Sequence, residues 1–303
     1  MKASTAISNI RGATAERPGS PDSSSSTDEV FRLDGPSRPI DARIHAWRSD
    51  LADVALAGRI FAPHYARPIV RACGSQPAFV WPGALGDGDA ISELLPGEEF
   101  AVLEYAGGRA WGFCKADHVV GYVEAIALAD PIEPTHVVCE RNAPVAADER
   151  VTSPVIAHLP MGARLHGHPC GGCLATEYGC VSMSHLRAFD DPEPDPVVVA
   201  ERLLGVPWLP GGRSEQGIDA AGLVQLALGL AGIRSPRLPD QLRSFGDPVP
   251  DGARAERCDL VLFEGGAGLM IDDLMMIHAS AESGRVTVEA LALHPERRLH
   301  RLA

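Results

Sequence analysis

The sequence predicts an α+β chain in which two small all-β barrels precede a C-terminal domain, with helices first and an antiparallel sheet after them. Three observations predict it. From about Pro68 to Leu186 the apolar residues come in short alternating runs broken by Gly and Pro, the pattern of barrels and sandwiches. Within that region a weak internal repeat appears. After residue 190 the apolar period becomes helical, and from Cys258 onward it returns to that of strands.

Taken in order, residues 1–37 are rich in Ser, Pro, Gly and charge and poor in anchoring aromatics, which predicts a disordered tail. In "RIHAWRSDLADVALAGRIFAPHY" short apolar runs mix with charges, and Arg59, Ile60 and Phe61 are expected to lead into a first strand. The first barrel is assigned to 38–130 and the second to 131–190. The repeat aligns "ELLPGEEFAVLE" (Glu93 to Glu104) with "AHLPMGARLHGH" (Ala157 to His168), each a strand after a Gly-containing turn. It also aligns "GYVEAIAL" (Gly121 to Leu128) with "GCVSMSHL" (Gly179 to Leu186) without a gap.

"FDDPEPDPVVV" (Phe189 to Val199) has the proline and acid content of a linker, and the last domain is assigned to 191–303. It opens with a helix, "PVVVAERLLG", stopped by Gly205. A second helix follows Asp219, a plausible N-cap, with Leu223, Leu226, Ala227 and Leu230 on one stripe. The stretch from Cys258 to Leu293 reads as three or four strands joined by tight turns.

Composition narrows the function classes. The formal net charge of -13 and the lack of a basic run with interleaved aromatics argue against nucleic acid as a partner. No apolar run is long enough to span a bilayer and no signal peptide is seen, so a cytoplasmic protein is expected. Seven cysteines, an odd number in a long chain, suit a reduced compartment better than a disulfide framework.

Five segments carry the chemical argument: "PWLPGGRS" (Pro207 to Ser214), "DAAGL" (Asp219 to Leu223), "CDLVLF" (Cys258 to Phe263), "GGAGL" (Gly265 to Leu269) and "MIHAS" (Met276 to Ser280). In this order they resemble the NlpC-type family of papain-like cell-wall cysteine peptidases, which typically read P-Y-L-W-G-G-R-S, D-C-S-G-L, G-D-L-V-F-F, G-H-V-G-I and L-I-H-A. Tandem barrels similar to Src-homology-3 domains suit the same family's layout. The resemblance implies a nucleophilic Cys directly after the capping Asp, a base in the fourth motif, and an orienting His in the fifth. A thiol there feels the positive helix end, which favours thiolate.

Mapped onto this chain, the nucleophile position is Ala220, the base position is Gly266, and the orienting histidine is kept as His278. Ala221 stands where the family has Ser, Trp208 where it has Tyr, and Pro210 where it has Trp. The framework residues Gly211, Gly212, Arg213, Gly222, Leu223 and Gly268 are unchanged. A methyl group cannot attack a carbonyl and glycine cannot carry a proton, so the expectation is a pseudoenzyme. Trp208, Arg213, Asp219 and His278 are the candidates for its ligand cleft. A muropeptide, another short cell-wall peptide or a protein partner is the implied ligand, and no cofactor is expected. Active relatives of this layout imply cleavage of short γ-D-glutamyl peptides.

The alternative is residual or altered hydrolysis through another nucleophile or a metal-bound water. Cys258 and Ser214 are the nucleophiles to weigh; the first also reads as a buried small residue, the second as a turn hydroxyl. His278 itself reads either as a ligand group or as a satisfied polar core residue. His166, His168, Cys170 and Cys173 have the chemistry of a tetrahedral zinc site, although Cys170 and Cys173 also flank a Gly-Gly turn that forms a hairpin without metal. No metal is expected there.

Overall fold

Alternation of apolar residues builds the first β-region. The computed structural model describes residues 40–150, 152–250 and 252–302, so the tail expected at 1–37 lies outside the described residues. A five-stranded antiparallel sheet runs in the order Val120–Glu124, Arg109–Cys114, Glu99–Ala106, Ile69–Cys73, Leu128–Ala129. Phe100, Val102, Ala110 and Val123 point inward and are buried together. A separate ribbon pairs Ala78–Val80 with Ser92–Leu94. Arg59, Ile60 and Phe61 lead into the strand His64–Ala66, which is the second strand because Leu51–Asp53 precedes it. Leu51–Asp53 pairs in parallel with His64–Ala66, while Ile60 makes a single bridge to Ala57 and Phe61 is exposed. Between the two strands, Val54–Leu56 is a 3-10 turn whose Leu56 carbonyl accepts from Arg59 and Ile60.

The second β-region holds a five-stranded sheet, Val155–Pro160, Asn142–Ala146, Gly179–Ser182, Cys173–Thr176, His168–Cys170, and a three-stranded one, Arg164–Leu165, His136–Val138, Leu186–Ala188. The repeat in the sequence is visible as matched elements. Val120–Glu124, the 3-10 turn Ala125–Ala127 and Leu128–Ala129 recur as Gly179–Ser182, the 3-10 turn Met183–His185 and Leu186–Ala188. The repeat's turns also do the same thing. Leu95 and Met161, one from each, are fully buried in the core of the C-terminal domain.

That domain begins with α1 (Pro196–Arg202), whose Asp195 cap accepts from Val197 N at 2.9 Å. Next come α2 (Ala220–Leu230) and the one-turn α3 (Pro239–Leu242). The sheet has six strands in the order Asp247–Pro248, Arg298–Arg301, Leu260–Phe263, Gly266–Met270, Met275–Ser280, Arg285–Ala290. Four lie within the stretch read as strands; the first two lie outside it. One sheet face, with Leu260, Leu262, Ala267, Leu269, Ile277 and Ala279, packs on α2. By strand alternation Phe263, Met270, Met276 and His278 belong to the other face. Among the described residues, no helix is long and apolar enough to cross a membrane.

Candidate active site region

The first half of the site is the start of α2. Asp219 caps it with both carboxylate oxygens: Oδ1 accepts from Gly222 N at 2.7 Å, and Oδ2 accepts from Gly211 N at 2.8 Å and from Arg237 Nη2 at 2.7 Å. Arg237 is 1% exposed, so the pair closes the helix start from beneath. A Cβ at Gly222 would lie 2.4 Å from the carbonyl oxygen of Gly212, which is why glycine is needed where the Gly-rich turn crosses the helix. Ala220 is the first helical residue and is half-buried, while Ala221 is buried in the core. The positive end of the helix thus meets a methyl group and no thiol.

The Gly-rich turn is held from the first β-region. Arg213 N donates to Glu93 Oε2 at 2.6 Å, and its guanidinium donates to Glu93 O at 2.9 Å and to Glu98 Oε2 and Oε1 at 2.7 and 3.1 Å. Ser214 Oγ donates to Glu93 Oε1 at 3.2 Å. Burial opposes ionisation of Glu98, but Arg213 and Arg164 outweigh it and hold the carboxyl below its ordinary range. Burial pushes Glu93 the other way. Arg213 is therefore spent on the fold and does not present its charge to a ligand, contrary to the expectation for it. Ser214 is likewise a buried tie.

The second half is the sheet face that carries Gly266 and His278. The strand Leu260–Phe263 returns through the two-residue turn Glu264–Gly265, with Gly265 at φ +78, and Phe263 pairs with Gly266. A Cβ at Gly266 would lie 2.4 Å from the Phe263 ring. The aromatic occupies the space in which a side chain at the base position would start. His278, opposite Gly268, is 3% exposed and meets the same ring edge-on at 5.4 Å. Its Nε2 lies 3.2 Å from Glu289 Oε2, but misaligned, so it makes no hydrogen bond. His294 Nε2 is hydrogen-bonded to that same oxygen at 3.3 Å. Burial lowers the His278 pKa and favours the neutral ring, a trend that Glu289 opposes.

The remaining candidates are dispersed. Trp208 is half-buried, packs on the core of α2 and the sheet, and donates its backbone N–H to Gly284 O at 2.8 Å. Cys258 stands at φ +72, directs Sγ at Asp195 Oδ1 at 3.4 Å, and has its pKa pushed up to about 11 by burial and by Asp195. Cys73, Cys114, Cys139, Cys170 and Cys180 are also shifted toward the thiol. None of these six has the environment of a thiolate nucleophile.

Cys170 and Cys173 face each other across Gly171 and Gly172, both at positive φ, so the hairpin reading holds. His166 hydrogen-bonds to Glu133 O through Nδ1, and its ring centroid is 5.9 Å from that of His168. Among the described residues, three metal-type ligand atoms lie within 4.8 Å of one another only at His278, Glu289 and His294. Two of those three were not singled out in the sequence, nor were Glu93, Glu98 and Arg237. A signal for Glu289 was present in the alternation of "RVTVEA", which puts Thr287 and Glu289 on one face. For His294, beyond the strand, there was none.

Residues 205–298 match the NlpC/P60 family, and residues 83–128 match the bacterial dipeptidyl-peptidase Sh3 domain. Dipeptidyl-peptidase 6 of Lysinibacillus sphaericus is 25% identical over 206 residues, covering 60% of this chain and 74% of that protein. An NlpC/P60 family protein from Bacillus cereus has a similar fold, with a TM-score of 0.66 at 15% identity over 77% of this chain and 99% of that one. An NlpC/P60 endopeptidase from Photobacterium damselae subsp. piscicida gives 0.53 at 13% identity, covering 73% of this chain and 66% of that one. The chain therefore carries a papain-like NlpC/P60 domain preceded by an SH3-like domain.

Proposed function

We propose that this chain is a non-catalytic NlpC/P60 homologue that binds a short cell-wall peptide or a protein partner through the framework of a former peptidase site. One observation carries the reading. The helix start that would activate a thiol presents Ala220, and the space beside the base position Gly266 is filled by the Phe263 ring. Loss of one member of such a catalytic pair costs on the order of 10⁴ to 10⁶ in rate, and none of the six cysteines shifted toward the thiol replaces the missing nucleophile. Trp208 and His278 remain as ligand candidates. The same reading divides the chain into barrels at 38–130 and 131–190 and a peptidase-like domain at 191–303, and places it in the cytoplasm; cell fractionation checks the last point.

The test is purified protein with a short muropeptide stem, read by mass spectrometry for cleavage and by calorimetry for binding. Binding without cleavage is the expected result. The variant Ala220→Cys, Ala221→Ser, Gly266→His with Phe263→Ala, which clears the ring from the base position, is expected to gain turnover. Cleavage by the natural chain would overturn the proposal, and its loss on treatment with iodoacetamide or with a chelator would assign it to another nucleophile or to a metal-bound water.

A further inference from the structure

We infer that His278, Glu289 and His294 form a binding site for a divalent transition-metal ion of the zinc type. The site shares His278 with the proposed peptide cleft, but its test is separate from that of the peptide-binding proposal: either can fail alone. Its three donors come from adjoining pieces of one hairpin. His278 lies on Met275–Ser280, Glu289 on Arg285–Ala290, and His294 directly after the 3-10 turn Leu291–Leu293. Met276 pairs with Glu289 and His278 with Thr287, so His278 and Glu289 are diagonal neighbours on one face, within reach of long side chains.

The distances suit coordination. A tetrahedral ion with bonds of about 2.0–2.1 Å holds its ligand atoms about 3.3–3.4 Å apart. Nε2 of His278 and Nε2 of His294 lie 3.2 and 3.3 Å from the same Glu289 oxygen, and all three donor atoms fall within 4.8 Å. The two imidazole rings lie 5.8 Å apart at their centroids, with planes at 81°.

An independent observation comes from His278. Its ring is buried, its Nε2 has no hydrogen-bond partner, and the nearest acceptor lies off the bond direction. A buried polar atom left in this way costs free energy that a bound cation would recover. Glu289 and His294 are partly exposed, 27% and 19% at the side chain, which opens a path for the ion. Phe263 packs against both imidazoles, 5.4 Å from His278 and 4.2 Å from His294, and supplies an apolar wall. Two His and one carboxylate suit zinc, cobalt or iron more than calcium or magnesium, and leave coordination positions for water or for a ligand's oxygen.

The experiment uses the full chain stripped with a chelator, titrated with Zn²⁺ by calorimetry and with Co²⁺ by visible absorption. One ion per chain is expected, with cobalt bands of four- or five-coordinate intensity and a thermal midpoint raised by Zn²⁺. Glu289→Gln and His294→Gln, whose unliganded thermal midpoints verify folding, are each expected to weaken binding at least about tenfold, the lower end of what disturbing even an outer-shell partner costs. Cys170→Ser with Cys173→Ser is expected to leave it unchanged. No binding by the natural chain, binding unaltered in both ligand variants, or binding lost with the two cysteines would each overturn the inference.

Discussion

The start of α2 and the sheet face around His278 are the two halves of the proposed site, and they are built in opposite ways. At the helix start each carboxylate oxygen of Asp219 is used, with Arg237 and the Gly-rich turn as partners, and Arg213 is buried against Glu93 and Glu98. At the sheet face Phe263 fills the base position, while His278 keeps a buried nitrogen with no hydrogen bond. The closed half holds the fold. The open half still has unspent donor atoms, and new chemistry is expected there first.

The largest expected effect breaks the closed half. Glu98→Ala leaves the charge of Arg213 buried and loses its bidentate partner, which should cost about 3–5 kcal/mol in urea unfolding. Replacing both residues by Met should cost less, because no charge is then stranded. On the open side, Gly266→Ala drives a Cβ into the Phe263 ring and should cost about 1–3 kcal/mol. A double-mutant cycle with Phe263→Ala checks this, since the cost should vanish when the ring is gone.

A smaller effect depends on pH. His278 titrates below its ordinary value of 6.5 in the fold, so the unfolded chain takes up more protons as pH falls from 6.5 toward the folded value. Its contribution to stability is complete above that window and lost within it, with a slope of at most about 1.4 kcal/mol per pH unit. Glu289, His294 and Phe263 face the ring throughout. His278→Gln should flatten this part of a pH series of unfolding midpoints. The smallest effect is at Cys258, which occupies a left-handed conformation at φ +72. Cys258→Gly relieves about 1–2 kcal/mol of backbone strain but adds about 0.5–1 kcal/mol of chain entropy to the unfolded state, so thermal melting should show a small net gain.

Local chemistry made some of this legible from the chain alone. Asp219 before an apolar stripe announced a capped helix, and the apolar run stopped by Gly205 announced the one before it, because caps and helices are satisfied within a few residues. The Gly-Gly hairpin and the repeated barrel strands were readable for the same reason. The sheet was legible only in part, since the strands 247–248 and 298–301 are too short and polar to declare themselves without a neighbour.

By itself the sequence determined the motif order and the residues that stand in those motifs, Ala220 and Gly266 among them. Only the tertiary structure decided what surrounds them. Glu93 and Glu98 lie 120 and 115 residues from Arg213, and Arg237 lies 18 from Asp219. Phe263 turns into the base position, and Glu289 and His294 come to His278 through strand pairing and a 3-10 turn. No periodicity links such residues. Their charges and rings meet because burial leaves each of them few other places to go.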